Sequence, residues 1–361
     1  MTEMNMHSVK SEEFQTISRQ FWRVKSKPDD FRVVEVLFPS RQLASSGGHT
    51  AIVVTKTYLT TFQAVEILAH HTNTSVQDWQ HAGLKDEDGV TTQTVIFKGV
   101  LSFGQILAIQ SKIQASLKNE QSLYLEYAGI CDQALSPGSL LGNAFSIVLN
   151  DVSPEEQQWI LRNEKRTISF VNYYDSQRFG FPGYPKHSHT IGQLLNEEQY
   201  QRALELYHIS CPPDKQEQMH AGQSDLDFFN RLALHRKVFY FSSWQSSVWN
   251  TTLGKLLVNT PRSQVVEFPV DGLNFLFSDH ATLLLLAESS PLLPYVGFRA
   301  KGTDLVRINN YRATTCSTNY SVIDQAQSSI RIAFFLPVGS YATMFLKQLC
   351  LLCRRELMDS L

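Results

Sequence analysis

The last strand-like segment, 329–337 (SIRIAFFLP), is followed only by one helical stretch from about Ser340. The two are too short to enclose a core of their own, so they must complete a core begun elsewhere. Segments rich in β-branched residues open the chain at 31–37 (FRVVEVL) and 50–58 (TAIVVTKTY), whereas about 191–260 carries a helical pattern. One discontinuous domain carrying an insertion accounts for this order better than three small units in a row. The 361 residues suit two domains, or one large domain with an insertion.

Local signals divide the early chain further. The two opening strands are expected to pair as a hairpin across the loop holding Gly47 and Gly48. Thr60 and Gln63 fit a capping box, with Phe62, Val65 and Leu68 at helical spacing, which predicts a helix over 61–71. Ser75 and Asp78 suggest another short helix start. Strands are expected over 94–100, 123–128 and 143–149, and a helix over 104–119. Ser153, Pro154 and Glu156 supply a cap, a first-turn proline and a capping-box glutamate for a helix ending near Lys165. Residues 1–20 read as loosely ordered, and 172–190 as an ordered loop rich in glycine, proline and aromatics.

Composition excludes several classes. Hydrophobic residues make up 43% and charged residues 18%, values of a globular chain. Thirty-two Lys and Arg against 34 Asp and Glu leave a net charge of −2, so any polyanion must be held by a local patch. No run approaches the roughly 18 apolar residues of a membrane span. The polar N-terminus does not resemble a secretion signal. Five irregularly spaced cysteines fit reduced thiols and a cytoplasmic location. Cys350 and Cys353 lie in an apolar run with no second ligand pair. His70, His71, His187 and His189 lack metal-site partners, so no metal is expected. Glycine-rich nucleotide loops and a GxSxG elbow are absent.

Three segments could carry chemistry. Asp86 lies in a glycine-bounded loop, HAGLKDEDGVTTQ, beside Lys85. It reads either as a carboxylate nucleophile kept ionised by a cation or as part of an acidic surface turn. Asn143 and Phe145 fall on one face of a strand (GNAFSIVLN). An amide beside a ring could form a nucleobase pocket, or Phe145 could be core and Asn143 the end of a turn. NYYDSQRFG (172–180) interleaves aromatics with Arg178. It suits a flipped nucleotide, or a structural loop in which Arg178 pairs with Asp175. Lys25 and Lys27, and the cluster Arg231, His235, Arg236 and Lys237, could meet phosphate or be solvated.

Taken in order, these segments resemble the TruD family of pseudouridine synthases. KSKPDDFRVVE resembles its N-terminal strand, HAGLKDEDGVTTQ its catalytic loop and GNAFSIVL its substrate-pocket strand. NYYDSQRFG, SSWQSSVWN and LPVGSYATMFLKQL resemble three later motifs. The resemblance implies an α+β fold: a pseudouridine synthase core, a mixed and mostly antiparallel sheet flanked by helices, interrupted by a TruD-type α/β insertion. The catalytic domain would comprise 20–168 and 313–355, the insertion 169–312, and 1–19 would be a loose N-terminus.

The implied reaction is isomerisation of uridine to pseudouridine in tRNA, at a position-13-type site, without cofactor or metal, by a monomeric enzyme with no membrane partner. Asp86 falls on the catalytic aspartate, which would attack the sugar or assist elimination through it. Lys25, Asn143 and Phe145 fall around that aspartate and the flipped base, and Gln93 and Arg178 are further expected substrate contacts. Three departures imply altered RNA engagement. No Lys or Arg lies between Gln121 and Asn143, Gly47-Gly48-His49 replaces Gly-Glu-His, and the stretch from Pro291 to Tyr311 is short. The same chemistry on another RNA or a small uridine nucleotide, and a non-catalytic RNA-binding module, are the alternatives.

Overall fold

A computed structural model describes residues 21–38, 47–118, 120–132 and 135–359. The expectation for residues 1–20 lies outside them. The first run of elements is β1 (Phe31–Leu37), β2 (His49–Thr57), α1 (Thr61–Thr72), β3 (Trp79–His81), β4 (Val90–Phe97), α2 (Phe103–Ser116), β5 (Ser122–Cys131), β6 (Leu140–Asn150) and α3 (Pro154–Arg162). Then come β7 (Ile168–Val171), α4 (Ser188–Asn196), α5 (Tyr200–Ser210), α6 (Asp225–Arg231) and α7 (Leu234–Asn259). They are followed by β8 (Val265–Val270), β9 (Leu273–Ser278), α8 (His280–Ser289), β10 (Leu292–Lys301), β11 (Asp304–Ala313) and β12 (Thr315–Thr318). The chain closes with β13 (Tyr320–Ala326), β14 (Ser329–Pro337) and α9 (Ala342–Met358).

The described residues form two compact units. One takes its residues from 20–167, 318–339 and 355–361 and holds an eight-stranded sheet in the order β13-β14-β6-β1-β4-β2-β5, with β3 on β4. Most pairs are antiparallel, but β1 and β4 run parallel. The expected hairpin of β1 with β2 does not form, because β4 lies between them. Helices α1 and α2 supply Leu68, Ile106, Ile109 and Ile113 to a core with Ile52, Val54, Val95 and Leu123 of the sheet. Helix α1 starts where its capping box places it. Thr60 Oγ1 accepts from the Gln63 amide, and Gln63 Oε1 accepts from the Thr60 amide at 2.8 Å. The late strands β13 and β14 join this sheet through β6, with Ile332 opposite Ile147.

The other unit takes residues 168–317 and 340–354. Helix α7 packs against α4 and the β10–β11 hairpin, and the short stretch from Pro291 to Tyr311 is largely that hairpin. A core of Ile191, Leu194, Tyr207, Phe228, Phe229 and Tyr240 joins the helices. Most of α9 belongs here, where the sequence reading had placed 313–355 with the catalytic strands. Its side chains explain why. Phe345 packs 5.9 Å from Phe170, Gln348 donates to the Ser278 carbonyl at 3.1 Å, and Lys347 binds both Asp175 oxygens at 2.6 Å. All five cysteines are buried, Cys350 and Cys353 within α9. Among the described residues no helix is long and apolar enough to cross a membrane.

Candidate active site

Strand register gathers the polar side chains of the sheet onto one face. Residues two apart on a strand share a face. Glu35 lies opposite Asn143 and Val33 opposite Phe145, while Val54 lies opposite Gln93 and Lys56 opposite Thr91. Phe334 of β14 lies opposite Phe145. Asn143, Phe145, Glu35, Gln93 and Lys56 are therefore carried side by side on neighbouring strands. In most of these strands the buried residues, Val33, Val54, Val95 and Ile147, lie on that same face, so the polar groups sit within the packed side of the sheet.

Asp86 lies on the loop between β3 and β4, which is fastened at several points. Thr61 Oγ1 accepts from the Lys85 amide at 3.0 Å and donates to Gln93 Oε1 at 2.9 Å. Gln93 Nε2 donates to the Gly83 carbonyl at 3.2 Å. Lys85 Nζ reaches Glu35 Oε1 at 2.9 Å, with side chains 5% and 0% exposed, and Glu35 Oε2 accepts from the Thr94 amide at 3.1 Å. The fully buried Lys56 donates to the carbonyls of Leu59, Asp86 and Lys85 at 2.6, 2.8 and 3.4 Å. Gly89 closes the loop against β1. A Cβ there would stand 2.5 Å from the Phe31 carbonyl oxygen, so only glycine permits the approach.

Within this frame the Asp86 side chain stays 38% exposed, and Lys25 Nζ donates to its Oδ2 at 2.6 Å. This charge-assisted contact engages Oδ2 and leaves Oδ1 outside the pair. Lys25 adopts a left-handed backbone (φ 61°), a conformation that costs about 1–3 kcal/mol in a side-chain-bearing residue. Its ammonium also lies 4.1 Å from the centre of the Phe31 ring. Phe31 meets Phe145 edge-on at 6.1 Å, and Phe145 stacks on Phe334 at 5.2 Å and 19°. Asn143 Oδ1, shut off from solvent, has no hydrogen-bond partner.

The predicted residues therefore fall into three sets. Lys25 and Asp86 touch directly, and Phe31 links them to Phe145 on the face that also carries Asn143. Gln93 is buried, with both amide atoms engaged by the protein. Arg178 belongs to the other compact unit, where Nε donates to Ser246 Oγ at 3.2 Å and the guanidinium lies 5.9 Å from the Tyr174 ring. Asp175 is paired with Lys347, so the alternative in which Arg178 pairs with Asp175 gives way to that contact. Tyr173, Tyr174 and Phe179 are buried. In the cluster near α7, Arg236 reaches Tyr207 Oη and Glu217, and Lys237 the Asn230 carbonyl.

Sequence reasoning did not bring Thr61, Lys56 and Phe334 to the site, whereas Phe31 and Glu35 lie in the KSKPDDFRVVE segment already matched to the family. For Lys56 a signal existed. It stands two and four residues after Val54 and Ile52, in phase with the buried side of its strand.

A family model described as tRNA pseudouridine synthase D (TruD) matches residues 18–233. The chain is 22% identical to the tRNA pseudouridine synthase D of Aquifex aeolicus over 91% of its own length and 97% of the relative's. It is 28% identical to that of Legionella pneumophila strain Corby over 90% and 94%. A crystal structure of a Methanosarcina mazei protein assigned as tRNA pseudouridine synthase D superposes with a TM-score of 0.54 at 16% identity, covering 94% of this chain and 98% of that one.

Proposed function

Because this chain belongs to the TruD family of tRNA pseudouridine synthases, we propose that it isomerises a uridine of tRNA, at a position-13-type site, with Asp86 as the nucleophile. The observation that carries this reading is the 2.6 Å contact of Lys25 with an Asp86 that remains part-exposed on an otherwise immobilised loop. A structural ion pair has no need of such a frame, whereas a nucleophile depends on it.

In this reading the target uridine leaves its stack, at a cost of about a few kcal/mol, and enters the face that carries Asn143 and Phe145. Asp86 Oδ1 forms a bond to the anomeric carbon C1′, and the C1′–N1 electron pair departs with the uracil. The detached base turns in its pocket. C5 then attacks C1′, the Asp86–C1′ bond breaks, and the C5 proton leaves to water. Phe145, backed on one face by Phe334, gives the ring a stacking surface. Asn143 Oδ1 takes the N3–H that uracil presents, filling its missing bond. Lys25 holds the Asp86 carboxylate at Oδ2. Gln93 braces the loop, and Arg178 meets phosphate.

Arg23 and Lys27, either side of Lys25, line a cavity of about 330 Å³ with Arg331. Asp30 and Asp324 line it too, and Arg23 and Arg331 pair with Asp151 and Asp29, so the cations there are balanced by carboxylates.

Release of tritium from tRNA carrying [5-³H]uridine tests the reaction, and pseudouridine mapping in tRNA from a strain lacking the protein tests the position. Turnover of uridine monophosphate but not tRNA would shift the reading to a small-nucleotide substrate. RNA binding without tritium release would reduce it to a binding module. Asn143→Ala should lower kcat/KM about 10- to 100-fold, the scale of one buried hydrogen bond at about 1–3 kcal/mol. Asn143→Asp, which keeps an acceptor, should lose less. Equal losses in the two variants would remove Asn143 from base recognition.

A further inference from the structure

We propose that Lys56 is a positioning residue for this reaction: from beneath the loop its ammonium grips the Lys85 and Asp86 carbonyls and so sets the direction in which the Asp86 carboxylate leaves the backbone. The inference rests on Asp86 being the nucleophile. The geometry is specific. An ammonium has three N–H groups, and Lys56 Nζ finds three carbonyl acceptors, at Leu59, Asp86 and Lys85. Leu59 follows Tyr58, whose left-handed backbone (φ 52°) turns the chain out of β2, so one atom ties the end of a central strand to the catalytic loop. Asp86 is thereby held twice, at its main-chain oxygen by Lys56 and at Oδ2 by Lys25.

Lys56 has no carboxylate among its hydrogen-bond partners. Burial disfavours its charge and lowers its pKa from 10.5 to about 8. The nearby Asp86 and Glu87 carboxylates oppose that effect, and Lys85 adds to it. Lys25 on Asp86, Glu35 on Lys85 and the loop's own Asp88 are the other charged groups there. Near neutral pH the clamp is charged and complete. Once deprotonated, the amine has two N–H groups and a lone pair for three carbonyl oxygens, so one anchor must release. Turnover should therefore decline above about pH 8.

The stability linkage has the opposite sign. A lysine whose folded pKa is depressed binds fewer protons than in the unfolded chain between about 8 and 10.5, so its contribution to stability rises across that window. A fall in rate without a matching fall in stability is therefore the signature of the clamp.

The test measures single-turnover pseudouridine formation on tRNA, tRNA affinity and melting temperature for wild type, Lys56→Met and Lys56→Arg between pH 6.5 and 9.5. Wild type should lose rate with a midpoint near 8 at constant affinity. Lys56→Met should be about 100-fold slower at pH 7, the scale of a 1 Å misplacement, with affinity within twofold and no alkaline decline. Lys56→Arg, charged throughout, should recover part of the rate and also lack the decline. A Met variant within threefold of wild type, or one keeping the wild-type midpoint, overturns the proposal. Should the variants not fold, a wild-type rate flat to pH 9.5, or one falling together with melting temperature, overturns it equally. Absence of wild-type turnover on tRNA would instead overturn the functional reading itself.

Discussion

Asp86→Asn is expected to cut tritium release from [5-³H]uridine tRNA by at least about 10⁴-fold while changing tRNA affinity less than threefold. With Asp86 as the proposed nucleophile, the size follows from its outright removal, which leaves only binding and positioning to act on the substrate. Asparagine retains the shape of the side chain and an oxygen that can accept from Lys25, so the 2.6 Å contact can survive in weakened, uncharged form. The loop anchors at Thr61, Gln93, Glu35 and Lys56 do not involve the carboxylate and stay in place. A variant with even one per cent of wild-type turnover would show that another group attacks the sugar, and that Asp86 is only the partner of Lys25.

Glu35→Gln should produce the largest loss of stability of any single change at the site. Glu35 and Lys85 are 0% and 5% exposed, and Glu35 also accepts from the Thr94 amide. Removing one partner of a buried ion pair leaves an uncompensated charge, at a cost of about 3–5 kcal/mol. For a unit of this size the melting temperature should fall by about 6–20 °C. The double change Glu35→Gln with Lys85→Met removes both charges and should regain most of that loss. Calorimetry of the four proteins decides the matter. A single variant melting within 2 °C of wild type would mean that water or a neighbour satisfies Lys85.

Where local chemistry decides an element, the sequence was readable. The capping boxes at Thr60 and Ser153 predicted helices from 61 and 154, and α1 and α3 begin there. The first strand runs over the expected Phe31–Leu37. Strand β4 begins at Val90, before the expected 94, because its first residues (VTTQ) are polar and read as loop, yet they pair with β1. That pairing is parallel and distant in sequence, so no turn signal announces it, and the local reading joined β1 to β2 instead. Buried charge is equally hard to read from one sequence. Glu35 looks like a solvated strand position until Lys85 and the Thr94 amide close on it. Asp86 was singled out by its glycine-bounded loop and its motif, but its grip by Lys25 depends on two segments 61 residues apart. In NYYDSQRFG the partner of Asp175 is Lys347, 172 residues downstream, which no local pattern could supply.

The route from β6 to β14 also carries a kinetic consequence. Ser146 and Arg331 touch in the finished sheet but are separated by 185 residues. At about 5–20 residues per second, a ribosome needs roughly 10–40 s to supply that distance. Throughout this interval β6 has β1 on one side and an open edge on the other, a template for wrong pairing during biosynthesis. Closing so long a loop also slows refolding of the intact chain.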